Sequence, residues 1–197
     1  DELRLVYGSR MEAEYLASVS DYVYEASKLI DLSGKKLSGK RNHIHQFLRQ
    51  YADDYEYVPV DESKLSECKH ILDAWCDKNE GESVHPDNSE RVACYELFNN
   101  WGRLGVKGAL LKVAGRFEAF TVGELLNRET AAIRIEKANS SINGIYTVIN
   151  REFCAHEWNH VKYVNREEDM GIKGLRKSKQ SYNPVSRVNK YLVKISK

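Results

Sequence analysis

No stretch of this 197-residue chain approaches the ~20 consecutive apolar residues that a membrane-spanning helix needs, and its start shows no signal-peptide pattern. Both absences point to a cytoplasmic globular domain. Cysteine is sparse, and Cys68, Cys76, Cys94 and Cys154 form no CxxC pair and no ligand-like spacing. Free thiols are expected, with neither a disulfide framework nor a metal site. Internal repeats, low-complexity segments and a P-loop pattern are also missing. What is there is ordinary: 42% hydrophobic and 30% charged residues, enough for one domain. The chain opens on Asp1 rather than Met, as expected of a piece of something longer.

Charge is balanced in sum but not in place. The formal net charge is +1, yet residues 170–197 hold eight Lys or Arg and no Asp or Glu. Residues 1–169 therefore carry 22 cationic and 29 acidic side chains, a net of −7. A basic C-terminal face on an acidic body suits a phosphate-bearing partner such as tRNA, or is simply a solvated surface.

Taken in order, residues 1–20 read as a polar lead-in. Tyr22, Tyr24, Leu29 and Ile30 suggest a helix ended by Ser33-Gly34. The loop GKKLSGKRN follows, with Lys35, Lys36, Lys40 and Arg41 crowded around two glycines; it reads as a phosphate contact or a solvated loop. Helical spacing resumes at Ile44, Phe47, Leu48 and Tyr51. Tyr55–Val60 alternates like a strand. A helix from Ser63 through Cys76, a polar loop Asp77–Asn88 and a helix Ser89–Leu104 come next. Lys107–Val113 and Phe117–Leu125 form a hairpin. In Ala131–Ala138, Ile133 and Ile135 are expected on one face and Arg134 and Glu136 on the other. The loop NSSINGIY leads to a helix through Phe153. A final strand is expected over Arg187–Ile195.

Between these lies the stretch Tyr163–Tyr182, YVNREEDMGIKGLRKSKQSY. It begins as a strand, breaks into the acidic turn Glu167-Glu168-Asp169 and continues as a basic helix that Asp169 is placed to cap. Gly171 and Gly174 inside that helix imply a close approach to its backbone. His156-Glu157-Trp158-Asn159-His160 is literally HExxH, but Val161-Lys162-Tyr163 begins a strand at once, so a continuous zinc-binding helix is not expected.

The order of elements describes an α/β (α+β) domain with a mixed, largely antiparallel sheet and helices on both faces. That order resembles the GNAT acetyltransferase fold. The motifs KKLSGKRNHIHQF, IEKANSSINGIYTVINREF and YVNREEDMGIKGLRKSKQSYNPV are similar to the bacterial family grouped with the C-terminal domain of phosphatidylglycerol lysyltransferase, over roughly Asp21–Tyr191. The resemblance implies two tandem GNAT-like domains, with residues 1–20 the tail of a first one and 21–197 the second. For the family's lysyltransferases it also implies transfer of an aminoacyl group from aminoacyl-tRNA to a lipid hydroxyl. The soluble stand-alone members, which this chain resembles, have no assigned activity, and for this chain an aminoacyl or acyl transfer to an unknown acceptor is expected.

The residues matching its motifs are Glu136, Asn165, Arg166, Glu167, Asp169, Gly171, Gly174, Arg176, Lys179 and Tyr182. On this basis Glu136, Glu167 and Asp169 are candidate catalytic groups, Glu167 and Asp169 being suited to hold an ammonium. Asn143, Gly144, Asn165, Arg176, Lys179 and Tyr182 are candidate donor-binding residues. An acyl-CoA donor is the alternative, yet the loop NSSINGIY has only Gly144 where acetyl-CoA enzymes carry a Q/R-x-x-G-x-G/A pattern. A non-catalytic module for tRNA or anionic lipid is the third reading.

Overall fold

The computed structural model describes residues 2–79 and 90–196; the rest of the Asp77–Asn88 loop and the Ser89 helix start lie outside the described residues. The chain runs α1 (Glu2–Tyr7), β1 (Met11–Tyr15), β2 (Asp21–Glu25), α2 (Ala26–Asp31), α3 (Ser38–Tyr51), β3 (Tyr55–Pro59) and α4 (Leu65–Asn79). It continues α5 (Glu90–Asn99), α6 (Trp101–Leu104), β4 (Lys107–Val113), β5 (Arg116–Asn127), β6 (Thr130–Ala138) and α7 (Ile145–Glu157). It closes β7 (Tyr163–Asn165), α8 (Lys173–Gln180), β8 (Ser186–Val188) and β9 (Tyr191–Ile195).

Seven strands form one sheet in the order β3-β4-β5-β6-β7-β2-β8, and β1 pairs with β9 in a separate ribbon. Among the described residues only β6 and β7 run parallel. Two apolar layers cover the sheet. One draws on α2, α3 and α7 through Leu29, Phe47, Ile149 and Phe153; the other on α4 and α5 through Leu72 and Phe98. All four cysteines are buried and none of them forms a disulfide, and burial pushes the Cys68, Cys94 and Cys154 thiols up to about 12.

Three expectations need correction. Tyr22 and Tyr24 belong to strand β2, not a helix. Asp21–Tyr24 are all buried between β7 and β8, and the two tyrosines obey the period of two that puts alternate residues on one face. The final strand is broken at Asn189-Lys190: β8 pairs with β2, whereas β9 pairs with β1. The segment within residues 1–20 is thereby tied to the C-terminal strand.

The third correction matters most. Ile133 joins one apolar layer and Ile135 the other. Val122 pairs with Ile135 and Gly123 with Ile133, leaving Arg134 as an extra residue in β6. This β-bulge reverses the alternation beyond it. It puts Glu136 on the α7 side. Gly123 stands opposite, and a Cβ there would lie 2.5 Å from the Ala132 carbonyl oxygen and 3.1 Å from the Phe153 ring.

Candidate functional site

The parallel pair β6–β7 lasts only from Thr130↔Tyr163 to Ala132↔Asn165. Beyond it β6 runs on to Ala138, while the chain leaving β7 follows β2: the Arg166 N–H donates to the Tyr22 carbonyl and the Tyr22 N–H to that of Glu167. A notch opens between the two diverging strands. Two ion pairs bridge it. The bulged Arg134 reaches Glu167 at 2.6 Å, and Arg166 reaches Glu136 at 3.1 Å. Arg134 also holds Glu124 at 2.6 Å, and the second Glu136 oxygen accepts from Asn150 Nδ2 of α7 at 2.9 Å.

Arg166 is the centre of this arrangement. Its side chain and that of Glu136 are each only 12% exposed, and its guanidinium lies 4.7 Å from the Tyr182 ring and 5.9 Å from that of Tyr24. Burial works against its charge, but Glu136 and the two tyrosines outweigh it and hold the guanidinium above the ordinary arginine value. Asn165 turns the chain into the notch: its Oδ1 accepts from the Glu167 N–H at 2.7 Å and its Nδ2 donates to Asp21 at 2.9 Å. Both ends of an expected donor ligand are thus engaged in building the site. Glu167 takes a left-handed backbone, φ 56°, and burial raises its carboxyl above the usual value against the pull of Arg134.

The acidic turn differs from expectation. Helix α8 begins at Lys173 with Ile172 in the cap position and no side-chain cap bond. Asp169 is instead completely buried. Its Oδ2 accepts from the Tyr22 hydroxyl at 2.6 Å and Arg176 Nε at 2.9 Å; its Oδ1 accepts from Arg176 Nη2 at 3.0 Å and the Gly171 N–H at 2.9 Å. The Arg176 guanidinium, opposed by burial and joined by Tyr22, holds this carboxyl well below the carboxylate range. Two residues assigned separate ligand roles therefore face each other. Gly171 precedes the helix at φ 77°, and a Cβ on Gly174 would meet nothing within 4 Å, so no close approach to α8 explains that glycine.

Around Arg166 the cations gather. Lys179 of α8 donates to the Arg166 carbonyl, while its own carbonyl accepts from the Tyr24 hydroxyl at 2.8 Å. Tyr182, 4% exposed, closes the same face, and Lys40 from the first turn of α3 lies 3.9 Å from its ring centre. Burial, reinforced by Arg166, pushes both Lys40 and Lys179 down to about 8. The structure brings together Glu136, Arg166, Lys179 and Tyr182, which come from two separate motifs. It adds Arg134 and Asn150, which were not among the candidate site residues, and Lys40, which was read only as part of a basic loop. The only sequence signal for Lys40 was its place in the basic loop GKKLSGKRN.

The loop before α7 plays another part. Asn143 Nδ2 donates to Gln46 of α3 at 3.0 Å. Gly144 sits at φ 82°, where a Cβ would lie 2.3 Å from the His43 carbonyl oxygen. Both donor-binding candidates therefore join α7 to α3. Gly144→Ala meets a rigid backbone oxygen in a disfavoured conformation and is expected to destabilise the fold by roughly 1–3 kcal/mol, measured as a shift of the urea midpoint. Beside the same loop is a cavity of about 290 Å³ lined by Glu67, Ile71, Trp75, Phe117, Glu118 and Asn139 among others. In the HExxH stretch, α7 ends at Glu157, so His156 and His160 do not share a helix face. His156 stacks on Tyr57, ring centres 4.2 Å apart.

The motifs that build this notch lie within one family match: the family described as phosphatidylglycerol lysyltransferase, C-terminal, matches residues 8–194. The chain belongs to that family. An uncharacterized protein of Mycoplasmoides gallisepticum is 28% identical over 179 residues, covering 90% of this chain and 57% of its own length. The crystal structure of a conserved protein of unknown function from Bacteroides thetaiotaomicron is 38% identical, with a TM-score of 0.93 over 99% of this chain and 66% of that one. The chain thus spans under two thirds of either relative. L-PGS from Bacillus licheniformis shares the fold, with a TM-score of 0.67 and 16% identity over 98% of this chain and 63% of that one. The family's fold is GNAT-like. Among the described residues no helix is long and apolar enough to cross a membrane.

Proposed function

We propose that the chain transfers an aminoacyl group from an aminoacyl-tRNA, with the reacting ester held at the open side of the Arg166 cluster. The observation that carries this reading is the notch itself. Arg134–Glu167 and Arg166–Glu136 bridge the diverging strands, and Gly144 is packed against α3 rather than left to cradle a pyrophosphate. Both features disfavour acetyl-CoA as donor. An aminoacyl ester is already activated, so the protein has chiefly to position it and stabilise the developing oxyanion.

In this reading Lys179 is the group nearest to the chemistry. With a pKa of about 8 it is close enough to neutrality to exchange a proton, or in its charged form to steady an oxyanion. Glu136 and Glu167 act as positioning residues for the two arginines, and Asp169 does the same for Arg176. The cavity by Asn139, with Glu67 and Glu118 among its lining residues, suits a cationic group of amino-acid size.

The test is incubation with the full set of radiolabelled aminoacyl-tRNAs and candidate hydroxyl and amine acceptors, phosphatidylglycerol vesicles included. Transfer or deacylation of at least one donor is expected, and Lys179→Met should lower its kcat at least tenfold. Inertness towards every donor, together with CoA binding by calorimetry, would move the assignment to acetyl transfer. The unneutralised cations also favour a binding module without catalysis. That module would bind tRNA in a steeply salt-dependent way and keep binding after Glu167→Gln and Asp169→Asn.

A further inference from the structure

The charges around Arg166 do not balance. Lys40, Arg166 and Lys179 bring three cations to one desolvated corner between α3, α8 and the end of β7. The carboxylate shared by all three is Glu136. Both of its oxygens are already engaged, by Arg166 and Asn150. Glu167 and Glu168 act on Lys179 from further away, and they are paired with Arg134 and Lys190.

The donors are equally incomplete. Arg166 Nη1 is buried with no hydrogen-bond partner among the described residues. Lys40 rests on the face of Tyr182 and makes no hydrogen bond or ion pair among the described residues. Lys179 uses one of its three N–H bonds, on the Arg166 carbonyl. Buried polar groups of native proteins are rarely left this way, and unpaired buried charge is costlier still. Lys40 and Lys179 are each half-buried, so the corner communicates with solvent.

We propose that Lys40, Lys179 and Arg166 form a binding site for a phosphate dianion, either inorganic phosphate or the terminal phosphate of a monoester. Three cations against Glu136 leave two positive charges, which a dianion neutralises and a carboxylate does not. Lys40 and Arg166 both lie against the Tyr182 ring and Lys179 against the Arg166 carbonyl, so three donor groups are available to the three oxygens of a phosphate, where a planar carboxylate presents only two. The inference gives the basic segment GKKLSGKRN its function: from Ser38 on it is not a loop but the start of α3, and that first turn delivers Lys40. It concerns the same cluster as the proposed transfer and shares Lys179 with it, but the two are separable: transfer without phosphate binding would overturn only the anion site, and phosphate binding without transfer only the reaction.

The test is calorimetric titration of the purified chain with inorganic phosphate, AMP, glycerol 3-phosphate and acetate at pH 7 and constant ionic strength. Phosphate is expected to bind and acetate not to. Lys40→Met, which keeps the aliphatic stem on Tyr182, should weaken phosphate about tenfold or more, as expected for loss of a charged hydrogen bond. Lys179→Met should do the same, and Lys40→Arg should restore part of the affinity. Lys36→Met, in the same basic loop, should change nothing. Tighter binding of AMP than of glycerol 3-phosphate assigns a nucleotide source, the reverse order a lipid headgroup, and equal affinities free phosphate. The proposal is overturned if phosphate does not bind, if acetate binds as well, or if Lys40→Met leaves the affinity intact. Because Lys40→Met is expected to fold normally, this holds even if changes at Arg166 do not yield folded protein.

Discussion

Arg166→Met is expected to destabilise the fold by roughly 3–5 kcal/mol, the range for removing one partner of a buried ion pair. Glu136 would be left 88% buried in its side chain, given its 12% exposure, with Asn150 as its one remaining partner. Two cationic neighbours, Lys40 and Lys179, soften that loss but lie too far off to form bonds in this geometry. The reciprocal change Glu136→Gln should cost less. The Gln carbonyl oxygen can still accept from Arg166, and its amide can donate to Asn150 Oδ1, unpartnered among the described residues, once that side chain turns over. It leaves the guanidinium, however, with two cationic neighbours and no carboxylate. The double variant Arg166→Met/Glu136→Gln should be more stable than the sum of the single changes predicts, with a coupling of roughly 1–3 kcal/mol. Urea unfolding followed by circular dichroism measures all three. Strict additivity would show that the pair across the notch does not hold the diverging strands.

Asp169→Asn comes second, at roughly 1.5–3 kcal/mol for hydrogen bonds made to a charged group. The carboxylate accepts four hydrogen bonds, from Tyr22, the Gly171 N–H and two Arg176 nitrogens. An amide in its place must point a donor at one of these donors. The sign of the pH effect follows from the direction of the shift. Asp169 titrates lower in the folded chain than its ordinary value of 3.8, so below that value the unfolded chain binds more protons than the folded one. The stabilisation is complete above pH ~5 and fades as pH falls towards the folded-state value. The difference in urea midpoint between the wild type and Asp169→Asn should therefore be largest near neutrality and shrink below pH ~4. A difference independent of pH would mean that shape, rather than charge, makes this contact.

Much of the fold was legible because periodicity is a local property. The hairpin, β6, α7 and the mixed sheet with helices on both faces all follow from alternation or helical spacing. Tyr22 and Tyr24 misled because a short strand followed directly by a helix mimics helical spacing over nine residues. Of the candidate site, Glu136, Arg166, Lys179 and Tyr182 were already marked by their motifs, and they meet. Asp169 and Arg176 were marked for ligands and meet each other. Asn143 and Gly144 hold two helices together. Lys40 was visible only as one of four cations in a basic segment, and nothing local tied it to Arg166, which is 126 residues further along the chain.

By itself, the amino-acid sequence determined the family, the class of fold and the basic C-terminal face. It also marked the block from Asn165 to Tyr182 as chemically distinctive. Only the tertiary structure decided how those charges are used. One extra residue at Arg134 turns Glu136 to the other face of the sheet, and the divergence of β7 from β6 brings Arg166 opposite it. A bulge depends on register between strands, and register depends on contacts between residues distant in the chain. So it is register, which no local pattern encodes, that pairs Arg166 with Glu136 beside Lys40 and Lys179.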